Sequence, residues 1–403
     1  MRSKTLFPLG AAFVLGAVAA TFFARPDLLP HVFSVGSAHA NASLYAPRDW
    51  RRGSPSNLNI SVFVYADHNR NGIYDMADRP LAGIASRLTR PDGRTRLTRS
   101  NVNGYTNFGM QLGGTDADVT EVEKDYDFEV LPPPEWTITS GEARQLVRFK
   151  AVEGAIAGLG AYEAPAAVGL APPSRVSGRL PDMHRLVSIR ANGDSGDVVE
   201  ASAKDGSFSL TLSPGEWDLV FTDAETGASW NRQVSLAYEP VVLSPLVTSG
   251  EASSSLDSFV TIDFDDRDHS FIDKVPNGYQ GLGWNYLLAV DNQYYKGPGY
   301  VNGLRSGANV AYNSSGHPVT ISGLDGETFD FHGGFFSVAW LNAEGETLDL
   351  RAWRGEEMVF EDTLTLSHLH PTYYQAELSE ITKLELATGH FWQFVADDLQ
   401  LRP

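Results

Sequence analysis

The sequence predicts an all-β fold: tandem β-sandwiches, two of them immunoglobulin- or transthyretin-like, followed by a jelly roll. Three observations predict it. Short runs rich in Val, Ile, Thr, Tyr and Phe recur along the chain with an alternating pattern. Among 403 residues there are 38 Gly and 22 Pro, enough to punctuate many turns. No stretch of residues 41–403 sustains the apolar period of an amphipathic helix. A chain of this length divides into about two to four domains.

The elements follow in order. Residues 59–65, Asn-Ile-Ser-Val-Phe-Val-Tyr, place Ile60, Val62 and Val64 on one face of a strand. Further strands are expected over 84–89, 126–131, 136–139 and 145–149, with turns at Pro91-Asp92-Gly93 and Asn103-Gly104. Together they read as a sandwich spanning 57–165. An Ala-, Gly- and Pro-rich stretch over 151–174 ends in Ala171-Pro172-Pro173-Ser174, which reads as a linker. A second unit over 174–247 carries strands at 176–179, 186–190, 207–212 and 217–221, with turns at Asp205-Gly206 and Ser213-Pro214-Gly215-Glu216. A third unit, 256–403, is richer in Tyr, Trp and Phe. Its strands are expected at 259–264, 335–341, 347–352, 357–360, 383–386 and 392–395.

Ahead of these lies an export signal. Arg2 and Lys4 precede an apolar run over 6–24, and Ala38-His39-Ala40 supplies a small-residue cleavage site. The alternative is an uncleaved anchor, since the run is about long enough to span a bilayer. In either case residues 41–403 are expected outside the cytoplasm, secreted or at the cell surface, with 41–56 as a polar linker. An uncleaved anchor would be the chain's one contact with a membrane.

Composition narrows the function. The absence of Cys excludes disulfides and thiolate chemistry. A formal net charge of −19 argues against binding a phosphate backbone, so no nucleic-acid partner is expected. The excess carboxylates read either as solubility or as cation ligands.

One run fits a twelve-residue calcium template. Asp67, Asn69 and Asn71 fill positions one, three and five, and Gly72 takes the sharp turn at position six. Ile73 offers its backbone carbonyl at position seven, Asp75 sits at nine and Asp78 at twelve. Hard oxygen ligands at this spacing suit Ca2+. Asp78 stands where the template prefers Glu; its shorter reach implies weak affinity, ~10⁻⁴–10⁻³ M as in extracellular modules. The bland alternative is a polar Asx-rich turn that binds nothing.

The flanks of this loop are Val62-Phe63-Val64-Tyr65 before it and Pro80-Leu81-Ala82-Gly83-Ile84 after it. Asn101-Val102-Asn103-Gly104-Tyr105-Thr106-Asn107-Phe108 follows, then Glu129-Val130-Leu131-Pro132-Pro133-Pro134-Glu135-Trp136 with Thr137-Ile138-Thr139. Over roughly 57–150 the chain resembles the B-like domain of serine-aspartate repeat surface adhesins. That resemblance implies an immunoglobulin-like sandwich in which the loop is a structural calcium site that stiffens a stalk. No Lys near the first strand matches the isopeptide crosslinks of some relatives.

The middle unit has Val176-Ser177-Gly178-Arg179-Leu180 and, at 205–221, Asp-Gly-Ser-Phe-Ser-Leu-Thr-Leu-Ser-Pro-Gly-Glu-Trp-Asp-Leu-Val-Phe. It resembles the transthyretin-like regulatory domain of carboxypeptidases, which implies a spacer with no catalytic role. The last unit opens with Ile262-Asp263-Phe264-Asp265-Asp266 and closes with Phe394-Val395-Ala396-Asp397-Asp398-Leu399. Between them run Pro276-Asn277-Gly278-Tyr279-Gln280-Gly281-Leu282-Gly283-Trp284 and Gly299-Tyr300-Val301-Asn302-Gly303. This order resembles a jelly-roll domain of exported bacterial proteins, including those sorted by a C-terminal PEP motif, and implies a carbohydrate-binding-module-like fold.

In a jelly roll the first and last strands are neighbours, which would bring Asp265 or Asp266 near Asp397 or Asp398. Asp265, Asp266 and Asp398 are therefore a candidate second calcium site, the alternative being strand-end aspartates facing water. Tyr279, Trp284, Tyr294, Tyr295 and Tyr300 lie in Gly-rich loops and could stack on a sugar, with Asn302, Asn309 and Asn313 bonding hydroxyls; the alternative is ordinary aromatic core. His368-Leu369-His370 puts two imidazoles on one strand face without an evident third zinc ligand, and reads as a surface pair. No H-E-x-x-H, G-x-S-x-G or P-loop motif occurs, and no enzyme is expected. The sequence thus reads as a calcium-stabilised surface or secreted binding protein, its last domain contacting an extracellular glycan or matrix protein. A purely structural spacer is the alternative, and a glycan-active enzyme a more remote one.

Overall fold

A computed structural model of the chain describes residues 59–109, 124–148, 150–151, 160–161, 165–180, 186–203, 206–245, 259–267, 272–292, 294 and 297–403. The expected export signal and the 41–56 linker lie outside the described residues. Among the described residues every unit is built from strands, and the helical pieces are single turns such as Pro298–Asn302. The all-β prediction therefore holds.

The first unit is a sandwich of two sheets. One centres on Asn59–Ala66, flanked by Tyr105–Gly109 on one side and by Arg79–Pro80 and Val168–Ala171 further along, with Thr137–Ser140 beyond. The other runs Thr95–Arg99, Ala85–Thr89, Asp125–Leu131, Arg144–Arg148. Alternation decides the inward faces: Ile60, Val62 and Val64 meet Leu88, Phe108, Phe128 and Val130 in a single core. The strand Val168–Ala171 runs parallel to the first, with Val64 opposite Val168, and all four of its residues are buried. The first sandwich therefore closes beyond residue 165, inside the stretch whose composition reads as a linker.

The middle unit has one four-stranded sheet, ordered Val198–Ala203, Val187–Gly193, Gly215–Asp223, Ser229–Leu236. Its core packs Ile189, Trp217, Leu219 and Phe221 against Val176, Phe208 and Leu243. Those last three belong to a second layer, Ser207–Thr211, Arg175–Arg179 and Val241–Leu243, which does not end there. Val241–Leu243 pairs in parallel with Thr372–Ile381 of the last unit, Val241 opposite Tyr373, making one ten-stranded sheet across both units.

The last unit is a two-sheet sandwich. Its share of the long sheet continues through Phe329–Val338, Phe394–Arg402, Asn309–Asn313, Leu287–Asp291 and Asp273–Lys274. The facing sheet is ordered Leu282–Asn285, Val319–Gly323, Lys383–Thr388, Thr347–Arg354, Glu357–Thr365. Phe264, Phe329, Phe331, Phe336, Trp284 and Tyr374 dominate the core between them.

The units are not strung apart by free linkers, as a stalk of separate modules would be. The core of the first takes in Tyr238 of the middle unit and packs against Leu369 of the last. Tyr238 donates its hydroxyl to Leu170 O at 3.2 Å.

Candidate functional site

The strand Asn59–Ala66 delivers Asp67 to the top of the first sandwich, and the next eleven residues turn back to Arg79–Pro80, which pairs with the same strand. Asp67 is fully buried, and its carboxylate accepts the backbone N–H of Asn71 at 3.1 Å and of Gly72 at 2.8 Å. Gly72 has φ +75°, and a side chain there would meet Thr139 O at 2.9 Å, so the turn depends on glycine. Asp78, also buried, accepts from His68 N at 2.9 Å and Asp75 N at 3.0 Å. Asn69 Oδ1 accepts from Asn71 N, and Asn71 Oδ1 from Ile73 N. Asp75 accepts the Ala77 N–H and the side-chain amides of Asn69 and Asn71. The side chain of Ile73 is exposed.

Five of the six residues read as ligands thus present side-chain oxygens within one tight loop. Burial holds the Asp78 carboxyl above its usual range, and the charges of Asp67 and Asp75 push it further up. A loop with surplus negative charge and only oxygen donors fits a hard cation. Among the described residues, no three His, Cys, Asp or Glu side chains make a metal cluster by themselves. Any cation here would need amide and carbonyl oxygens as well.

The outer side of the loop faces the other units. His68 packs on the ring of Tyr238 with centroids 4.3 Å apart. Arg70 donates to Pro172 O at 2.8 Å and lies over the same tyrosine ring. Arg79, just past the loop, donates to Leu304 O at 2.9 Å and Arg305 O at 3.3 Å of the last unit. A cavity of about 10 Å³, the size of one water, sits among His68, Arg79, Tyr238, Asn302 and His370.

Asn302, expected to bond sugar hydroxyls, is the main peg of this junction. Its amide donates to Ala82 O and His368 O, both at 2.9 Å, and accepts from Ala82 N at 3.1 Å. The pair does not stand free on the surface: His368 is buried, its Nδ1 meeting Glu344, and the half-buried His370 packs beside Trp136 of the first unit.

The second acidic group does assemble around one corner of the last unit. Val260–Ile262 pairs with Phe394–Arg402, Ile262 opposite Leu399, which sets Asp263 and Asp265 near Asp398. Each carboxylate has a fastening role. Asp265 accepts the N–H groups of Ala308 and Asn309 at 2.9 Å, Asp397 those of Arg305 and Ser306, and Asp398 the Ser306 hydroxyl. Asp266 leaves the group and accepts from the Tyr279 hydroxyl at 2.8 Å. Burial raises the carboxyls of Asp397 and Asp398.

The expected stacking platform is mostly core. Tyr279, Trp284 and Tyr300 are buried, because their rings close the sandwich: Trp284 donates to Tyr279 O at 2.8 Å and Tyr300 to Gln393. Asn309 and Asn313 are buried too. Tyr294 is 56 % exposed, and Tyr295 lies outside the described residues. Exposed rings occur elsewhere: Tyr286 stacked on His317 at 4.7 Å, with Phe391 and Trp392 on the adjoining loop. A separate open groove of about 730 Å³ is lined by Lys274, Asn277, Asn285, Thr320 and Ser322. Sequence pattern did not single these rings out, since nothing in Phe391-Trp392 distinguishes a loop tip from a strand start.

No family model matches the chain. Over 85 residues, 21 % of the chain, it is 32 % identical to the bone sialoprotein-binding protein of Staphylococcus aureus strain MRSA252, and it spans only 7 % of that protein's length. Among solved structures it is similar to the shaft pilin SpaA of Lactobacillus rhamnosus GG, at 10 % identity and a TM-score of 0.21, over 49 % of this chain and 100 % of that one. It is also similar to the K2 cleaved adhesin domain of Lys-gingipain, at 10 % identity and a TM-score of 0.24, over 36 % of this chain and 99 % of that one. TM-scores of this size carry no argument, and the fold assignment rests on the strand pairing itself. Among the described residues, no helix is long and apolar enough to cross a membrane.

Proposed function

We propose that the chain is an extracytoplasmic, non-catalytic binding or adhesion protein whose first unit is a serine-aspartate-repeat B-like sandwich clamped by Ca2+ at Asp67–Asp78. The observation that carries this reading is the loop: a tight turn at template spacing, anchored by the buried carboxylates of Asp67 and Asp78 and carrying surplus negative charge. The short match to a protein named for binding bone sialoprotein supports the adhesive role. In the bound loop, Asp67, Asn69, Asn71, Asp75, Asp78 and the Ile73 carbonyl would hold the ion, which supplies positive charge to a site that has surplus carboxylate. The middle unit is a transthyretin-like spacer. The last, jelly-roll unit is the contact surface for a glycan or matrix partner, through the groove and the Tyr286, Phe391 and Trp392 rings.

Calcium binding is tested by thermal melts of the chain with calcium and with chelator. Chelator should lower the Tm, and Asp67→Ala should abolish the response. Saturation at a hundred times the Kd adds ~2.7 kcal/mol. An identical melt in both conditions would sink the calcium reading. A glycan and matrix-protein array, run with wild type and Phe391→Ser, tests the contact surface. A second reading, a purely structural unit, is favoured by the burial of Tyr279, Trp284 and Tyr300 and by the packing of all three units. Absence of binding on that array would favour it.

A further inference from the structure

The residues of the Asp67–Asp78 loop divide by direction. Asp67, Asn69 and Asp78 turn their side-chain oxygens onto the loop's own backbone: Asp67 onto the Asn71 and Gly72 N–H groups, Asn69 onto Asn71 N, Asp78 onto His68 N and Asp75 N. The residue that follows each of these three turns outward, onto a neighbouring unit or the segment leading to it. His68 packs on the ring of Tyr238 in the middle unit, centroids 4.3 Å apart. Arg70 lies over the same ring, 5.9 Å from its centroid, and donates to Pro172 O at 2.8 Å in the segment that leads into the middle unit. Arg79 donates to Leu304 O at 2.9 Å and Arg305 O at 3.3 Å in the last unit. Ligand and docking residue are thus adjacent three times between Asp67 and Arg79.

Adjacency in a tight turn ties the two roles together, because the backbone that aims one side chain also aims the next. Arg70 shows how closely. Its φ is +55°, a left-handed conformation in which glycine is relaxed and an arginine is not. The loop carries an arginine there, and its guanidinium is what reaches Tyr238 and Pro172. The empty loop also crowds like charge. Burial, then the charges of Asp67 and Asp75, holds the Asp78 carboxyl above its usual range. A cation bound among these oxygens would cancel that repulsion and fix the backbone from which His68, Arg70 and Arg79 project.

We propose that cation occupancy of the Asp67–Asp78 loop is coupled to the docking of the middle and last units on the first. The ion tightens the three-unit arrangement, and that arrangement tightens the ion. The proposal rests on the calcium reading and extends it from a clamp within one unit to a latch among three. Linkage makes the coupling reciprocal. Tyr238 and Asn302 supply no ligand, but both hold another unit against the first, Asn302 through Ala82. Changing either must therefore weaken the ion by the factor by which it weakens docking.

Two measurements on the intact chain test this. Small-angle X-ray scattering should show a larger radius of gyration in chelator than in calcium, while circular dichroism remains that of folded β-sheet. Equilibrium dialysis with Ca2+ should give a Kd at least about fivefold higher for Tyr238→Leu and for Asn302→Ala than for wild type, the low end of coupling between sites. Ile189→Val, in the middle unit's own core, controls for lost stability and should leave the Kd unchanged. A wild type that takes up no Ca2+ would remove the calcium reading and the coupling together. Uptake with an unchanged Kd in both folded junction variants would overturn the coupling alone, leaving the clamp in place. So would an equal rise in the control, or scattering that is identical in calcium and chelator.

Discussion

His68 sits where the loop meets Tyr238, and burial there lowers its pKa from the ordinary 6.5 to about 4, with Arg79 and Arg305 adding to the effect. The unfolded chain takes up this proton as pH falls through 6.5, while the folded chain resists until about 4. His68 therefore contributes stability that is present above pH 6.5 and lost as pH falls toward 4, up to about 3 kcal/mol for a shift of this size. The raised carboxyls of Glu239, Asp397 and Asp398 act in the opposite sense. Comparing wild type with His68→Gln isolates the histidine: the variant's stability should change less between pH 6.5 and 4 in urea melts. Asn302→Ala removes two hydrogen bonds between the first and last units and a third within the last unit, and should cost about 2–3 kcal/mol. At this scale the sequence reading holds for the turn itself: Asp67 and Gly72, at positions one and six, are the residues that close it. It was weakest for Asn302 and Tyr300, because a side chain in a Gly-rich loop looks the same whether it faces a ligand or a neighbouring unit.

At the scale of elements, alternation located most strands, and runs such as 126–131 and 347–352 differ from the observed Asp125–Leu131 and Thr347–Arg354 only at their ends. Val168–Ala171 escaped because its four residues are buried on both faces and so do not alternate. Asn309–Asn313 escaped for the same reason, its polar ends being buried as well. The loop leading into that strand is held by a close approach. Gly307 has φ +52°, and a side chain there would collide with the Asp265 carboxylate. Gly307→Ala should displace Asp265 from the Ala308 and Asn309 amides and lower the Tm by several degrees, roughly 1–3 kcal/mol. Gly196→Ala, at a positive φ in open space, is the control for backbone strain without collision.

At the scale of the whole molecule, composition and turn signals divided the chain into three units but said nothing of their packing. Inter-unit contacts use single residues far apart in sequence, such as Tyr238, Leu369 and Asn302, and these leave no periodic trace. Their consequence is cooperativity. Because the first core takes in Tyr238 and the long sheet joins the other two units, calorimetry should give one main unfolding transition. Tyr238→Ala, which empties a buried ring site at a cost of about 3–5 kcal/mol, should split a first-unit transition from the rest. Wild type already unfolding in three separate steps would contradict the shared core.

The parallel pair between Val241–Leu243 and Thr372–Ile381 also bears on the order in which the molecule can assemble. A chain that emerges N-terminus first presents Val241 long before Tyr373 exists to pair with it. Until then the middle unit holds an open, wholly apolar edge, Val241-Val242-Leu243, and long-range parallel pairing is slow to form. Fragments that stop short of residue 372 should therefore be prone to aggregate. The intact chain should refold slowly, waiting on its own last tenth.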